Sequence, residues 1–231
     1  MLRLIGFFVV TLVVMHILRQ VPVIGRLFDI PIVGFWGTAI LVSAAASHFA
    51  SSALARRQAQ RRIRDLGHVD TPHNQGKLGS LLAGSGRFRA AVPHLERAVA
   101  GEPTVAEWQY RLGCALLETA RPREAAAALA RAAEIDEEHA YGAVLARLCE
   151  ARLASGDAEG ALDAIVRRER NHGADPESAY RRGVSEKALG RKQEARKSFA
   201  EARHLASSAA RFHRARARKF ALLAFVAGLT S

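Results

Sequence analysis

The hydrophobic pattern of this chain changes character twice. Residues 4–18, LIGFFVVTLVVMHIL, form an apolar run with His16 as its one ionisable group, and residues 32–55 form a second run of 24 residues. Between them, RQVPVIGRLFDIP places Pro22, Gly25 and Pro31 where a chain turns. At about 1.5 Å of rise per residue the first run reaches about 22 Å, short of a hydrocarbon core of about 30 Å. It spans if the helix extends back to Met1, with Arg3 snorkelling to the surface. The second run is long enough by itself. The pattern predicts a two-helix transmembrane hairpin over residues 1–57, with spans at about 4–18 and 32–55. A secretory signal would show a small-residue cleavage site after the first run, and a second apolar run stands there instead.

Directly after the second run come Arg56, Arg57, Arg61, Arg62 and Arg64, against only Arg19 and Arg26 in the connector. Cations flanking a span stay on the cytoplasmic side. The basic juxtamembrane linker, residues 58–71, and everything after it are therefore expected at the cytoplasmic face of a plasma or inner membrane. The same five arginines are expected to meet anionic lipid headgroups.

From residue 72 the apolar period becomes that of an amphipathic helix, and the pattern itself recurs. Residues 72–105 place Leu78, Gly79, Leu82, Gly86, Ala91, Leu95 and Ala98 in order; residues 106–139 place Leu112, Gly113, Leu116, Ala120, Ala125, Leu129 and Ala132 at the same offsets. Residues 176–209 give Gly183, Gly190, Ala195, Phe199 and Ala202. Residues 142–175 fit after a two-residue insertion, with Leu148, Cys149, Gly156, Ala161 and Ile165.

A period of about 34 residues with these residue types resembles the tetratricopeptide repeat, a helix–turn–helix unit that stacks into a solenoid. The resemblance implies an all-α chain: the hairpin, then four repeats, then a closing helix. It implies that Gly79, Gly113 and Gly183 let the first helix of a pair approach the second, where Ala91, Ala125, Ala161 and Ala195 receive it. Leu95, Leu129, Ile165 and Phe199 would fill the space between pairs, Gly86, Gly156 and Gly190 would turn the chain, and Pro122 suits a first helical turn. Two residues depart from the pattern. Arg168 stands where the family has a small residue, so the second helix of its repeat is expected to pack less regularly. Pro93 lies inside a second helix, which it is expected to weaken or kink.

Residues 210–231 contain RFHRARARKF (211–220) and then ALLAFVAGL (221–229), and two readings stand. The segment either caps the exposed end of the solenoid, docking Phe212, Phe220 and Leu223 on the fourth repeat, or rests on anionic lipid. Its apolar part is too short to span.

Charge narrows the function. The formal net charge is +12. Residues 1–71 hold eight Lys/Arg against three acids, and 207–231 hold five against none, so 72–206 carry 21 against 19 and are nearly balanced. A nucleic-acid binder would carry its basic excess on the folded domain. Cys114 and Cys149 form no C-x-x-C or zinc spacing and read as small buried thiols. No phosphate loop, zinc-protease or serine-hydrolase pattern occurs. Neither an enzyme nor a cofactor is expected, and no metal.

Tetratricopeptide solenoids bind extended peptides or helices in a concave groove lined by their first helices. The family's clamp for a terminal carboxylate needs lysine and asparagine where this chain has Gly76, Ser80, Tyr110 and Cys114, so that specificity is absent. Another row stands two residues before each repeat's Gly or Cys landmark: Lys77, Arg111, Arg147 and Arg181, with Tyr110 and Tyr180 beside two of them. By the resemblance this row faces the groove and suits an acidic, aromatic-containing peptide. Glu107 and Glu177, four residues before Arg111 and Arg181, offer the competing local pairs. The sequence thus reads as a membrane-anchored adaptor for a protein partner. A self-associating membrane scaffold, built from homo-oligomers of the chain, is the alternative.

Overall fold

The computed structural model describes residues 70–208 and 214–229, with isolated helical positions at 48, 51, 52, 54 and 58. The two expected spans, apart from those isolated positions, and Arg56, Arg57, Arg61, Arg62 and Arg64 lie outside the described residues. Among the described residues no helix is long and apolar enough to cross a membrane. The chain divides into two compact units, Met1–Arg61 and Arg62–Ser231.

Among its described residues the second unit is all-α. Its helices are α1 (Pro72–Gly84), α2 (Phe88–Gly101), α3 (Ala106–Glu118), α4 (Pro122–Ile135), α5 (His139–Ser155), α6 (Ala158–His172), α7 (Pro176–Ala188), α8 (Lys192–Ser207) and α9 (Arg214–Leu229). Local chemistry sets the starts. Pro72, Pro122 and Pro176 open α1, α4 and α7, where proline's missing N–H costs nothing. Thr71 and Asp157 accept from the backbone N–H groups of Asn74 and Gly160, and Asp175 and Ser178 cap α7 reciprocally. Within pairs, Gly86, Gly156 and Gly190 turn the chain at positive φ of 77°, 89° and 76°; Ala120, at 59°, makes the same turn without glycine's freedom.

Consecutive helices pack in pairs, α1 with α2 through α7 with α8, and each first helix also touches the next first helix. The expected close approach is met. A Cβ on Gly79 would lie 2.5 Å from Leu95 Cγ, one on Gly113 would lie 2.4 Å from Leu129 Cγ, and one on Gly183 would lie 2.6 Å from the Phe199 ring. The two-residue insertion before the third pair is absorbed by three successive left-handed residues, Ala140, Tyr141 and Gly142. Tyr141 projects there, 91% exposed.

Three details differ from expectation. Pro93 does not break α2, which runs unbroken from Phe88 to Gly101; in the second turn it forfeits only the bond to the Arg89 carbonyl. Arg168 does not disturb α6 either. Its side chain, 14% exposed, reaches off the helix to donate to Asp175 at 2.6 Å. On α9 the residues turned inward are Ala217, Phe220 and Ala224, whereas Leu223 is 37% exposed. Phe212 lies outside the described residues.

Most of the buried apolar side chains fall into two clusters. One runs from Leu78 to Ile165 through the first three pairs; the other joins Ala179, Ala195, Phe199, Ala202 and Ala224. Polar groups fill much of the boundary. Arg182 donates to Glu169, Glu201 and Ser198, and the Ser198 hydroxyl donates to Glu186 at 2.7 Å.

Candidate protein-interaction face

Because the first helices lie side by side, residues at one register position on each form a row across the solenoid. On α3, Arg111 donates through Nε to Glu107 at 2.6 Å. The other Glu107 oxygen meets His139 Nε2 at 2.8 Å, and Tyr110 sits edge-on to that imidazole, ring centroids 5.3 Å apart. On α5, Arg147 donates to Glu150 at 2.9 Å. The same Glu150 oxygen accepts from Arg181 of α7 at 3.1 Å, and Arg181 also donates to Glu177 at 2.9 Å. Glu177 then accepts from Arg216 of α9 through Nε at 3.1 Å. The result is a ladder of alternating charge from Arg147 to Arg216, tying α5, α7 and α9 together.

Burial decides which rungs are open. Arg111 and Arg147 keep 45% and 41% of their side-chain surface exposed, and Lys77 is exposed. Arg181 keeps 15% and is held by two carboxylates. Tyr180 is packed between Phe199 and Phe220, with centroids 6.1 and 5.8 Å away. Of the six residues expected in a groove, Lys77, Arg111 and Arg147 are therefore presented, and Tyr110 is half-buried against the core and His139. Arg181 and Tyr180 serve the joint with α9.

Electrostatics agrees with that division. Burial pushes the Glu177 carboxyl up, but the guanidinium groups of Arg181 and Arg216 outweigh it and hold the group below the usual carboxylate range. Burial raises the Cys114 thiol and pushes the Cys149 thiol up to about 11. Both sulfurs are thus protonated near neutrality and poor nucleophiles.

Sequence reasoning missed Glu150, His139 and Arg216. The Arg147–Glu150 spacing of three on a helix was a readable sign of a pair. The contacts of His139 and Arg216 depend on how α5 and α9 dock, and no local pattern reports that.

Residues 82–148 match the family model for the tetratricopeptide repeat. No curated relative matches the chain. Among solved structures, MamA is similar over 68% of this chain and 87% of its own, with 21% identity and a TM-score of 0.60. MamA residues 41 to the end from Desulfovibrio magneticus RS-1 align over 70% of this chain and 95% of their own, at 16% identity and a TM-score of 0.55. YrrB, described as a tetratricopeptide protein with an unusual peptide-binding site, aligns over 73% of this chain and 84% of its own, at 16% identity and a TM-score of 0.55. The described helices thus form an all-α, tetratricopeptide-like helical solenoid, with the family's own repeat model matched at residues 82–148.

Proposed function

We propose that this protein is a membrane-anchored adaptor that holds a protein partner on its first-helix face. The observation that carries the reading is the outward row Lys77, Arg111 and Arg147, with the half-buried Tyr110 beside it. Its two arginines are paired only with partly exposed carboxylates. Exposed pairs of this kind contribute about 0.2–1 kcal/mol each. A carboxylate arriving on a partner therefore competes with Glu107 for Arg111 and with Glu150 for Arg147, while Glu150 keeps its bond to Arg181, and Tyr110 lies beside them. An acidic, aromatic-containing segment is the matching ligand chemistry. The peptide-binding description of YrrB lends support. The apolar runs 4–18 and 32–55 supply the anchor, which would raise the local concentration of any partner on the same bilayer.

The test is site-directed photo-crosslinking of the full chain in its native membrane. A photoreactive residue replaces Lys77 on the first-helix face or Arg131 on α4. A partner trapped from position 77 and not from 131, and lost in Arg111→Glu/Arg147→Glu, supports the reading; equal trapping from both positions refutes it. Alkaline carbonate extraction tests the anchor separately, since an integral protein stays in the pellet.

A further inference from the structure

The two sides of α9 differ. Ala217, Phe220 and Ala224 face α7 and α8. The other side of the C-terminal half is apolar and open among the described residues: Leu222 is 64% exposed, Phe225 52%, Val226 54% and Leu229 71%. At about 100° per residue these four and Leu223 spread over an arc of roughly 160°. The N-terminal half presents exposed Arg214, Arg218 and Lys219 toward the same outer side, and α9 contains no acid. The surface is zoned along the helix axis, cations first and apolar side chains after. A groove of about 510 Å³ beside it, between α8 and α9, adds Arg196 and Arg203 to the edge.

A second copy fits this zoning badly. Two α9 helices side by side in parallel set cations against cations, and antiparallel they set each cationic half against the other's apolar half. A partner helix would need acidic and apolar halves in matching order. A bilayer surface offers both anywhere, anionic phosphates at the level of the cations and acyl chains just below. Arg196, Arg203 and Lys187 lie beside the apolar half as well, so α9 rests along the surface, with Leu222, Phe225, Val226 and Leu229 dipping below the phosphates while the cations reach up to them. We propose that the outer face of α9 docks on anionic lipid, so that the solenoid meets the membrane through its last described helix. This deepens the membrane reading above and rests on it.

The test uses the full chain in phosphatidylcholine nanodiscs with and without phosphatidylglycerol, reading amide hydrogen exchange over residues 220–229. Exchange is expected to slow when phosphatidylglycerol is present. Each cation near such a surface strengthens binding about fivefold, so Arg214→Glu/Arg218→Glu/Lys219→Glu should weaken it by at least about a hundredfold and abolish the slowing. Leu222→Ser/Val226→Ser/Leu229→Ser should abolish it too. It leaves Ala217, Phe220 and Ala224 in place, and unchanged exchange in α7 reports that α9 is still seated. The same exchange with and without phosphatidylglycerol overturns the proposal. Slowing that occurs without lipid and grows with protein concentration also overturns it, assigning the face to a second copy. If the chain does not enter nanodiscs, the anchor reading falls, and exchange with preformed phosphatidylglycerol vesicles still decides the role of α9.

Discussion

Gly113 has no room for a methyl group. Its Cβ would lie 2.4 Å from Leu129 Cγ and 3.2 Å from the Ala125 carbonyl oxygen. On an open helix, alanine for glycine stabilises by about 0.4–1 kcal/mol. At this contact the sign reverses, and Gly113→Ala should cost about 1–3 kcal/mol. Gly84→Ala, where nothing lies within 4 Å, is the stabilising control; the two urea midpoints should move in opposite directions. Cys149 gives a second test at this scale. With its thiol buried and pushed up to about 11, it should resist Ellman's reagent at pH 8 until the chain is denatured. A fast-reacting Cys149 would contradict the packing described for it. The glycine and alanine positions were legible in the sequence because they encode contact between paired helices, and such contact recurs every repeat. The Glu177–Arg216 bond was not legible, because it joins residues 39 apart through a docking that happens once.

At the scale of elements, α7 depends on one carboxylate. Asp175 accepts from the Ser178 N–H at 2.7 Å and from Arg168 at 2.6 Å. Asp175→Ala removes a helix cap, a loss of about 0.5–2 kcal/mol. It also strands a mostly buried guanidinium, at a further cost of about 1–3 kcal/mol. Asp175→Asn keeps a capping oxygen and should show mainly the second loss, so the difference between the two urea midpoints isolates the cap. The helix start was readable from D-P-E-S, whose residue types each favour a first turn. The inward face of α9 was not, since ALLAFVAGL is apolar all round and gives periodicity nothing to distinguish. There, packing against Tyr180 selects Phe220 over Leu223.

Across the whole molecule, the polar boundary before α7 gathers two partly buried carboxylates on which acid should act. Burial raises the Asp175 carboxyl, but Arg168 and the Ser178 N–H outweigh it and hold it low, as Arg181 and Arg216 do for Glu177. Folded values below the ordinary ones mean that the stability these groups give is complete above the usual carboxylate range. It drains as pH falls through the lowered folded values. On acidification to about pH 3, α7, α8 and α9 should lose amide-exchange protection before α1–α4, and Asp175→Asn should flatten that difference. Simultaneous loss throughout would show that the boundary does not divide the array. This boundary also settles the order of the layers. Look-alike repeats can stack out of turn, the fourth sliding onto the second. At the positions of Glu150, Arg168 and Glu169, the second repeat has Cys114, Ala132 and Ala133. A misplaced fourth repeat would lose Glu150 for Arg181 and Glu169 for Arg182, and would leave Asp175 without Arg168. The charges that make this joint vulnerable to acid also favour the correct neighbours over that misplaced one.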